Sequence, residues 1–305
     1  MSASEKKINE LVIISGKGGT GKTSVTASFA VLSDGQAVLA DCDVDAADLH
    51  LVLETETVTT EPFISGHEAI IQREKCTGCG KCAELCIFDA PKYVKRPFGK
   101  AVYTIDAIAC EGCGVCVRFC PEEAISFPDR VCGEWMVSKT RCGTMVHARL
   151  SAAAENSGKL VAMVRQEARR LAEAQNKPLI ITDGPPGIGC PVIASLTGAS
   201  YVLMVSEPTV SGEHDLERVL RLAAHFEIPC ALCVNKWDIN PELTERMERL
   251  AERHGATSVG RIRYDRAVTT AQLRKQAVVE LDAPAGEDIR KVWECIAKTF
   301  ALPHK

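Results

Sequence analysis

Leu11-Val12-Ile13-Ile14-Ser15, running straight into Gly16-Lys17-Gly18-Gly19-Thr20-Gly21-Lys22-Thr23, is the stretch whose reading decides the fold. An apolar run of β type meets a glycine-rich turn, and Gly21 to Leu32 then reads as a helix, so the order is strand, loop, helix. Gly16 to Thr23 satisfies the spacing G-x-x-x-x-G-K-[ST] in the strand-to-helix context that the motif requires. The glycines Gly16, Gly18, Gly19 and Gly21, with Thr20, let backbone N–H groups converge on phosphate oxygens. Lys22 reaches the outer phosphates, and the Thr23 hydroxyl is placed to ligate magnesium.

Outward from this loop the same alternation continues. A strand is predicted at Ala37 to Ala40 and, after an interruption, a helix at Ser157 to Gln175 and a strand at Pro178 to Thr182. Strands at Tyr201 to Val205 and Cys230 to Asn235 alternate with helices near Glu213 to Phe226 and Pro241 to His254. Short, nearly all-apolar strands separated by helices specify an α/β fold with a mostly parallel sheet covered on both faces and joined by right-handed crossovers. Ala283 to Lys305 reads as a last helix with Ile289, Val292, Trp293, Ile296 and Phe300 along one face, which suits either packing on the sheet or a membrane surface.

Bulk properties narrow the function classes. The 305 residues, 46% apolar and 25% charged, have ordinary globular composition. A formal charge of -4 gives no reason to expect a polyanion partner, so nucleic acid is not predicted. There is no run of 18 apolar residues, and Met1 to Asn9 is polar without the apolar core of a signal peptide, which predicts a cytoplasmic protein with no stable membrane insertion. In such a compartment the 15 cysteines point to metal or redox chemistry rather than disulfides.

Eight of those cysteines fall between Cys76 and Cys120, inside a segment from about Glu61 to Val131 where the strand–helix alternation breaks. This predicts an insertion, 62–131, that divides the nucleotide-binding domain into residues 1–61 and 132–305. Its halves, Cys76 to Tyr93 and Cys110 to Phe127, repeat one design of cysteine cluster, short helix and β-type segment. Cys76-x2-Cys79-x2-Cys82-x3-Cys86 and Cys110-x2-Cys113-x2-Cys116-x3-Cys120-Pro121 are two complete copies of the bacterial ferredoxin spacing. In that pattern the fourth cysteine of each run serves the other cluster, so one 4Fe-4S cluster takes Cys76, Cys79, Cys82 and Cys120 and the other takes Cys110, Cys113, Cys116 and Cys86. Zinc prefers ligands in two separated pairs, which argues against a structural zinc module. Ile87 replaces the proline that the pattern places after Cys86 and removes no ligand. Pro91 to Lys100, with Lys92, Lys95, Arg96, Lys100, Tyr93 and Phe98, reads either as a docking surface for an acidic redox partner or as a solvated hairpin.

A second lysine early in the phosphate loop, Lys17, resembles the deviant Walker A motif of the MinD/ParA superfamily, which includes the nitrogenase iron protein. The resemblance implies that Lys17 crosses a nucleotide-sandwich dimer and contacts phosphate in the partner, a cation supplied in trans as an arginine finger is. It implies that Asp41-Cys42-Asp43-Val44-Asp45 is switch I, with Asp43 orienting the attacking water and Asp41 supporting the magnesium shell. Asp183-Gly184-Pro185-Pro186-Gly187 is similar to switch II, with Asp183 holding magnesium through water and Gly187 near the γ-phosphate. Asn235-Lys236-Trp237-Asp238 resembles a base-recognition loop and assigns Asn235 to adenine, although N-K-x-D also specifies guanine. Cys190, seven residues after Asp183, stands at the offset of a dimer-bridging cluster ligand in the nitrogenase iron protein, but a buried small apolar residue is the plainer reading. Cys230 and Cys233 lie in one predicted strand and point to opposite faces, unlike the C-x2-C of the Mrp-type cluster carriers.

Nearly the whole chain resembles the MinD-superfamily ATPases with an inserted ferredoxin domain, a family related to Mrp and often linked with the orange-protein complex. The resemblance implies ATP, Mg2+ and two 4Fe-4S clusters as cofactors. It also implies an ATP-dependent homodimer, or a heterodimer with a paralogue, and a redox or metallocofactor-assembly partner. Under the other reading the chain is a spatial-organisation ATPase with structural or redox-sensing clusters. Cobyrinate amidation is largely set aside, because that enzyme resemblance stops at the phosphate loop and the roughly 120 residues after Pro185 are expected to complete this fold, leaving little for a glutaminase domain.

Overall fold

A computed structural model describes residues 8–95, 101–151 and 156–302. From the N-terminus, β1 (Asn9–Ser15) leads through the glycine loop into α1 (Lys22–Leu32), followed by β2 (Ala37–Asp41), a short α2 (Leu49–Leu53) and the long β3 (Glu56–His67). The cysteine-rich stretch adds β4 (Ile70–Ile71), α3 (Lys81–Leu85), β5 (Pro91–Val94), β6 (Val102–Ile105), α4 (Val115–Arg118) and β7 (Ile125–Ser126). The chain continues through β8 (Asp129–Thr140), β9 (Gly143–Leu150), α5 (Ser157–Ala174), β10 (Leu179–Pro186), α6 (Cys190–Leu196), β11 (Tyr201–Ser206) and α7 (Val210–His225). It closes with β12 (Cys230–Asn235), α8 (Pro241–Arg253), β13 (Thr257–Ile262), α9 (Ala267–Leu273) and α10 (Pro284–Thr299).

Two compact units result. The larger comprises Met1–Glu61, Trp135–Arg149 and Ser157–Lys305, and the smaller Pro62–Glu134 with Leu150–Asn156. A nine-stranded sheet runs in the order β13-β12-β11-β1-β10-β2-β9-β8-β3, with β1 parallel to both β10 and β11. Alternation along β1 sorts the core. Leu11 and Ile13 enter the layer under α1, α9 and α10, while Val12 and Ile14 enter the layer under α6, α7 and α8. Because both faces are covered, β1, β2 and β11 are buried along almost their whole length, which is why their sequences read as unbroken apolar runs.

Local signals set the helix ends. Thr209 caps α7 by accepting the Gly212 N–H, and Asn240 caps α8 through the Leu243 N–H ahead of Pro241 at its first turn. The final helix follows the packing reading. Ile289, Val292 and Ile296 are buried against the sheet, and Trp293 meets Phe29 of α1 at 4.9 Å between ring centroids. No helix among the described residues is long and apolar enough to cross a membrane.

Several elements differ from the sequence reading. Pro178 to Thr182 is extended by β10 as far as Pro186, so Asp183 lies within the strand. The β8–β9 hairpin, β13, α6 and α9 carry no clear apolar period and were not predicted. β3 is an edge strand whose side chains are exposed except at Phe63 and Ser65, so it lacks the apolar signal of a central strand.

In the smaller unit β4 pairs antiparallel with β7, and β5 with β6. Each cysteine run opens a short helix whose N-terminal glycine, Gly80 or Gly114, is left-handed. One apolar cluster there has Ala69, Ala90, Cys110 and Ile125 as buried members, with Cys82, Cys86, Cys116 and Cys120 packed against them.

Candidate functional site

The first site forms at the C-terminal ends of β1, β2 and β10. The parallel register pairs Asp41 with Asp183, so both carboxylates stand on the face that carries α1, as Leu39 and Ile181 do two residues earlier. Lys22 Nζ donates to Asp183 Oδ1 at 2.9 Å and lies 3.6 Å from Asp43 Oδ2. Thr23 Oγ1 donates to Asp183 Oδ2 at 2.8 Å, and Thr26 Oγ1 donates to Asp183 Oδ1 at 2.9 Å. Asp183 therefore gathers three donors from one face of α1.

Asp41 is fully buried, and its two oxygens accept the N–H groups of Asp43 and Leu49, both at 3.2 Å. It shapes the loop that presents Asp43. Burial, then the neighbouring Asp183, push the Asp41 carboxyl well above the usual carboxylate range. Burial also raises Asp43, against the opposing pull of Lys22. For Lys22, burial works toward the neutral amine, but Asp183 and Asp43 outweigh it and hold the ammonium above its ordinary value.

Gly21 adopts φ 87°, and a Cβ there would lie 2.3 Å from Asn235 Nδ2, so this position requires glycine. Asn235 Nδ2 donates to the Thr20 carbonyl at 2.7 Å, and its Oδ1 accepts the Lys236 N–H at 3.0 Å. The residue assigned to the base thus braces the phosphate loop. Thr20 Oγ1 is buried and has no hydrogen-bond partner among the described residues. An orphaned hydroxyl inside a phosphate loop fits a polyphosphate oxygen, as do the loop's converging N–H groups. Gly16 packs against Asp215, where a Cβ would come within 2.3 Å, and Gly18 and Gly19 leave open space beside the loop.

Lys17 is held on its own chain: Nζ donates to Thr209 Oγ1 at 3.1 Å and Ser211 Oγ at 3.3 Å, and lies 3.9 Å from Glu207 Oε2. Glu207 also pairs closely with Lys236. Sequence reasoning missed Thr26, Glu207, Thr209 and Ser211. Thr26 was detectable as the residue one helical turn beyond Lys22, and Glu207 as the residue just past β11 at the same sheet edge.

The cysteines define a second site in the smaller unit. Cys76, Cys79, Cys82 and Cys120 line one pocket, together with Lys81 and Tyr103. Cys86, Cys110, Cys113 and Cys116 line another, together with Glu111 and Phe88. The sets of four that the spacing pairs across the two runs are thus the sets that share a cavity. Among the described residues no three His, Cys, Asp or Glu side chains close on a single ion. A 4Fe-4S cubane takes one thiolate on each iron, so its ligands surround a volume rather than a point. Each run also depends on a left-handed glycine: a Cβ on Gly78 or Gly112 would lie 2.3 Å from the Ala101 or His67 carbonyl oxygen. Burial pushes the Cys82 thiol up to about 11, and it raises Cys116 as well.

The other cysteines separate. Cys190 is exposed, contrary to the reading of a buried small residue. Cys132 is buried with its Sγ directed at the Ser65 carbonyl, and Cys142 lies in the core under α1, the face opposite α6. Cys233 enters the α1 layer and Cys230 the α7 layer, on opposite faces as read. In the loop proposed for docking, Lys92 is exposed and pairs with Asp89, while Arg96, Phe98 and Lys100 lie outside the described residues.

A glycine-rich phosphate loop, a buried lysine at its end and two aspartates in register define a P-loop nucleotide-binding domain. The sequence profile of the CobQ/CobB/MinD/ParA nucleotide binding domain matches residues 11–278, and the chain belongs to that family. It is 33% identical over 235 residues to the uncharacterised protein MJ0578 of Methanocaldococcus jannaschii, covering 76% of this chain and 80% of that one. Its fold is similar to the septum site-determining protein MinD of Pyrococcus horikoshii in complex with Mg-ADP, at TM-score 0.58 and 16% identity over 96% of this chain and 97% of that one. It is also similar to the MinC:MinD cell division complex of Aquifex aeolicus, at TM-score 0.57 and 18% identity over 97% and 98% of the two chains.

Proposed function

We propose that this chain is an Mg-ATP-switched, dimerising ATPase whose inserted unit, 62–131, carries two 4Fe-4S clusters. The observation that carries the nucleotide half is the convergence of Lys22, Thr23 and Thr26 on Asp183, beside Asp43 and the orphaned Thr20 hydroxyl. Lys22 and the loop N–H groups grip the β- and γ-phosphates. Thr23, with Asp183 and Asp41 behind it, would hold Mg2+, which would supply charge neutralisation on the phosphates. Asp43 orients a water toward the γ-phosphorus; the new P–O bond forms as the bond to ADP breaks. Lys17 exchanges its Glu207, Thr209 and Ser211 contacts for phosphate in a second subunit. That subunit is a copy of this chain or of a paralogue. Asn235 sets the loop against the base.

The cluster half is supported by the two cavities, each lined by the four cysteines that ferredoxin spacing joins. It is supported too by the packing of Cys82, Cys86, Cys116 and Cys120 against Ala69, Ala90, Cys110 and Ile125 in that unit. The clusters would carry single electrons between a low-potential donor and an acceptor, or serve in metallocofactor assembly, with the nucleotide state of the switch loops gating the exchange. Anaerobically prepared protein should contain about eight irons per chain, bind Mg-ATP, and show a cluster electron paramagnetic resonance (EPR) signal that changes with ATP. Absence of iron and sulfide would remove the cluster half alone.

A second reading is favoured by solved structures of like fold, among them cell-division proteins. In it the ATP switch positions cargo or a division site, and the clusters are structural or redox-sensing. ATP-dependent co-sedimentation with liposomes or DNA supports that reading. Partner reduction that needs ATP and fails in Lys17→Ala supports the first.

A further inference from the structure

Arg130, at the start of β8, directs its guanidinium at the second cysteine run: Nη1 donates to the Cys110 carbonyl at 3.1 Å and Nη2 to the Ala107 carbonyl at 3.2 Å. Among the eight cysteines of the two runs, Cys110 is the buried one. Asp129, next to Arg130 in sequence, is engaged by His67 at 3.1 Å. Among the described residues Arg130 forms no ion pair with a carboxylate, and its guanidinium rests on the backbone of the loop that carries Cys110. Nothing in the nucleotide mechanism uses it.

We propose that Arg130 fixes the reduction potential of the cluster held by Cys110, Cys113, Cys116 and Cys86, an inference that rests on the cluster reading above. The physical argument is one of sign. One-electron reduction adds a negative charge to a cubane that its four thiolates already make anionic, and an external low-potential reductant supplies that electron. A guanidinium is protonated at every accessible pH, and a cation fixed beside the site stabilises the reduced form more than the oxidised one. Partial burial reduces the screening that would cancel this at the surface. The two carbonyl contacts make Arg130 a positioning residue for the loop as well, so charge and geometry must be separated.

Full-length wild type, Arg130→Gln and Arg130→Lys, each loaded with iron, are titrated anaerobically with dithionite through redox mediators and followed by EPR. Glutamine keeps a donor for the carbonyls and removes the charge; lysine keeps the charge. At the wild-type midpoint, Arg130→Gln should lower the reduced-to-oxidised ratio of one cluster at least about threefold, with the other cluster unmoved and Arg130→Lys close to wild type. Equal behaviour of all three proteins overturns the proposal. So does a shift of both clusters together, a lysine variant that moves as far as glutamine, or loss of iron from the glutamine variant, which would leave a structural clamp only. Wild type that holds no iron defeats the cluster reading itself, a result recognisable before either variant is compared.

Discussion

Lys22 and Asp183 form a buried pair, with side chains 6% and 1% exposed. Removing the ammonium leaves Asp183 beside Asp41 with no cation between them, so Lys22→Ala should destabilise the larger unit by about 3 kcal/mol as well as abolish Mg-ATP binding. Denaturant melts of Lys22→Ala, Asp183→Asn and the double variant check this, because a true pair gives strongly non-additive losses. Asp43 yields a pH prediction. Its folded pKa is raised above 3.8, so the proton is bound more tightly in the folded site, and the carboxylate that orients water is lost as pH falls through that raised value. The kcat for ATP hydrolysis should therefore fall on acidification at a pH above 3.8, and Asp43→Asn should be slow at every pH. An acid limb that survives in Asp43→Asn would assign it to another group.

At the scale of elements, α10 is tied to the sheet by Ile289, Val292 and Ile296 rather than offered to a membrane. Ile296→Ala removes buried methylenes from a fully enclosed position and should cost about 3 kcal/mol in urea unfolding, with ATP affinity nearly unchanged. A loss below about 0.5 kcal/mol would mean that the helix is only loosely applied. Among the loops, the turn from β12 matters most for the site. Lys236 there takes a left-handed conformation, which lets Asn235 face the phosphate loop while the Lys236 side chain reaches Glu207.

For the whole molecule, the contacts of Lys17 with Glu207, Thr209 and Ser211 place it at an exposed rim beside α7, so release toward a second subunit breaks only hydrogen bonds and a long ion pair. Light scattering should show dimers with ATP for wild type and none for Lys17→Ala. Asp43→Ala should trap the dimer by slowing hydrolysis. Dimers of Lys17→Ala as stable as wild type would remove the trans role.

Motifs with fixed local spacing were legible in the sequence. The phosphate loop, the two cysteine runs and the apolar central strands each depend on neighbours a few residues apart, and periodicity or spacing reports such constraints directly. The spacing also grouped the cysteines across the two runs into the sets of four that line each pocket. What only the tertiary structure decided were relations between distant segments: the register that sets Asp41 beside Asp183, the brace from Asn235 to Thr20, the hold of Glu207 on Lys17 and Lys236, and the reach of Arg130 to Cys110. The edge strand β3 and the β8–β9 hairpin stayed hidden for a related reason. β3 and β8 are largely exposed or half-exposed and carry no clear period of their own, and β9 buries only Met145 to Ala148, so the place of all three is fixed by the sheet they join.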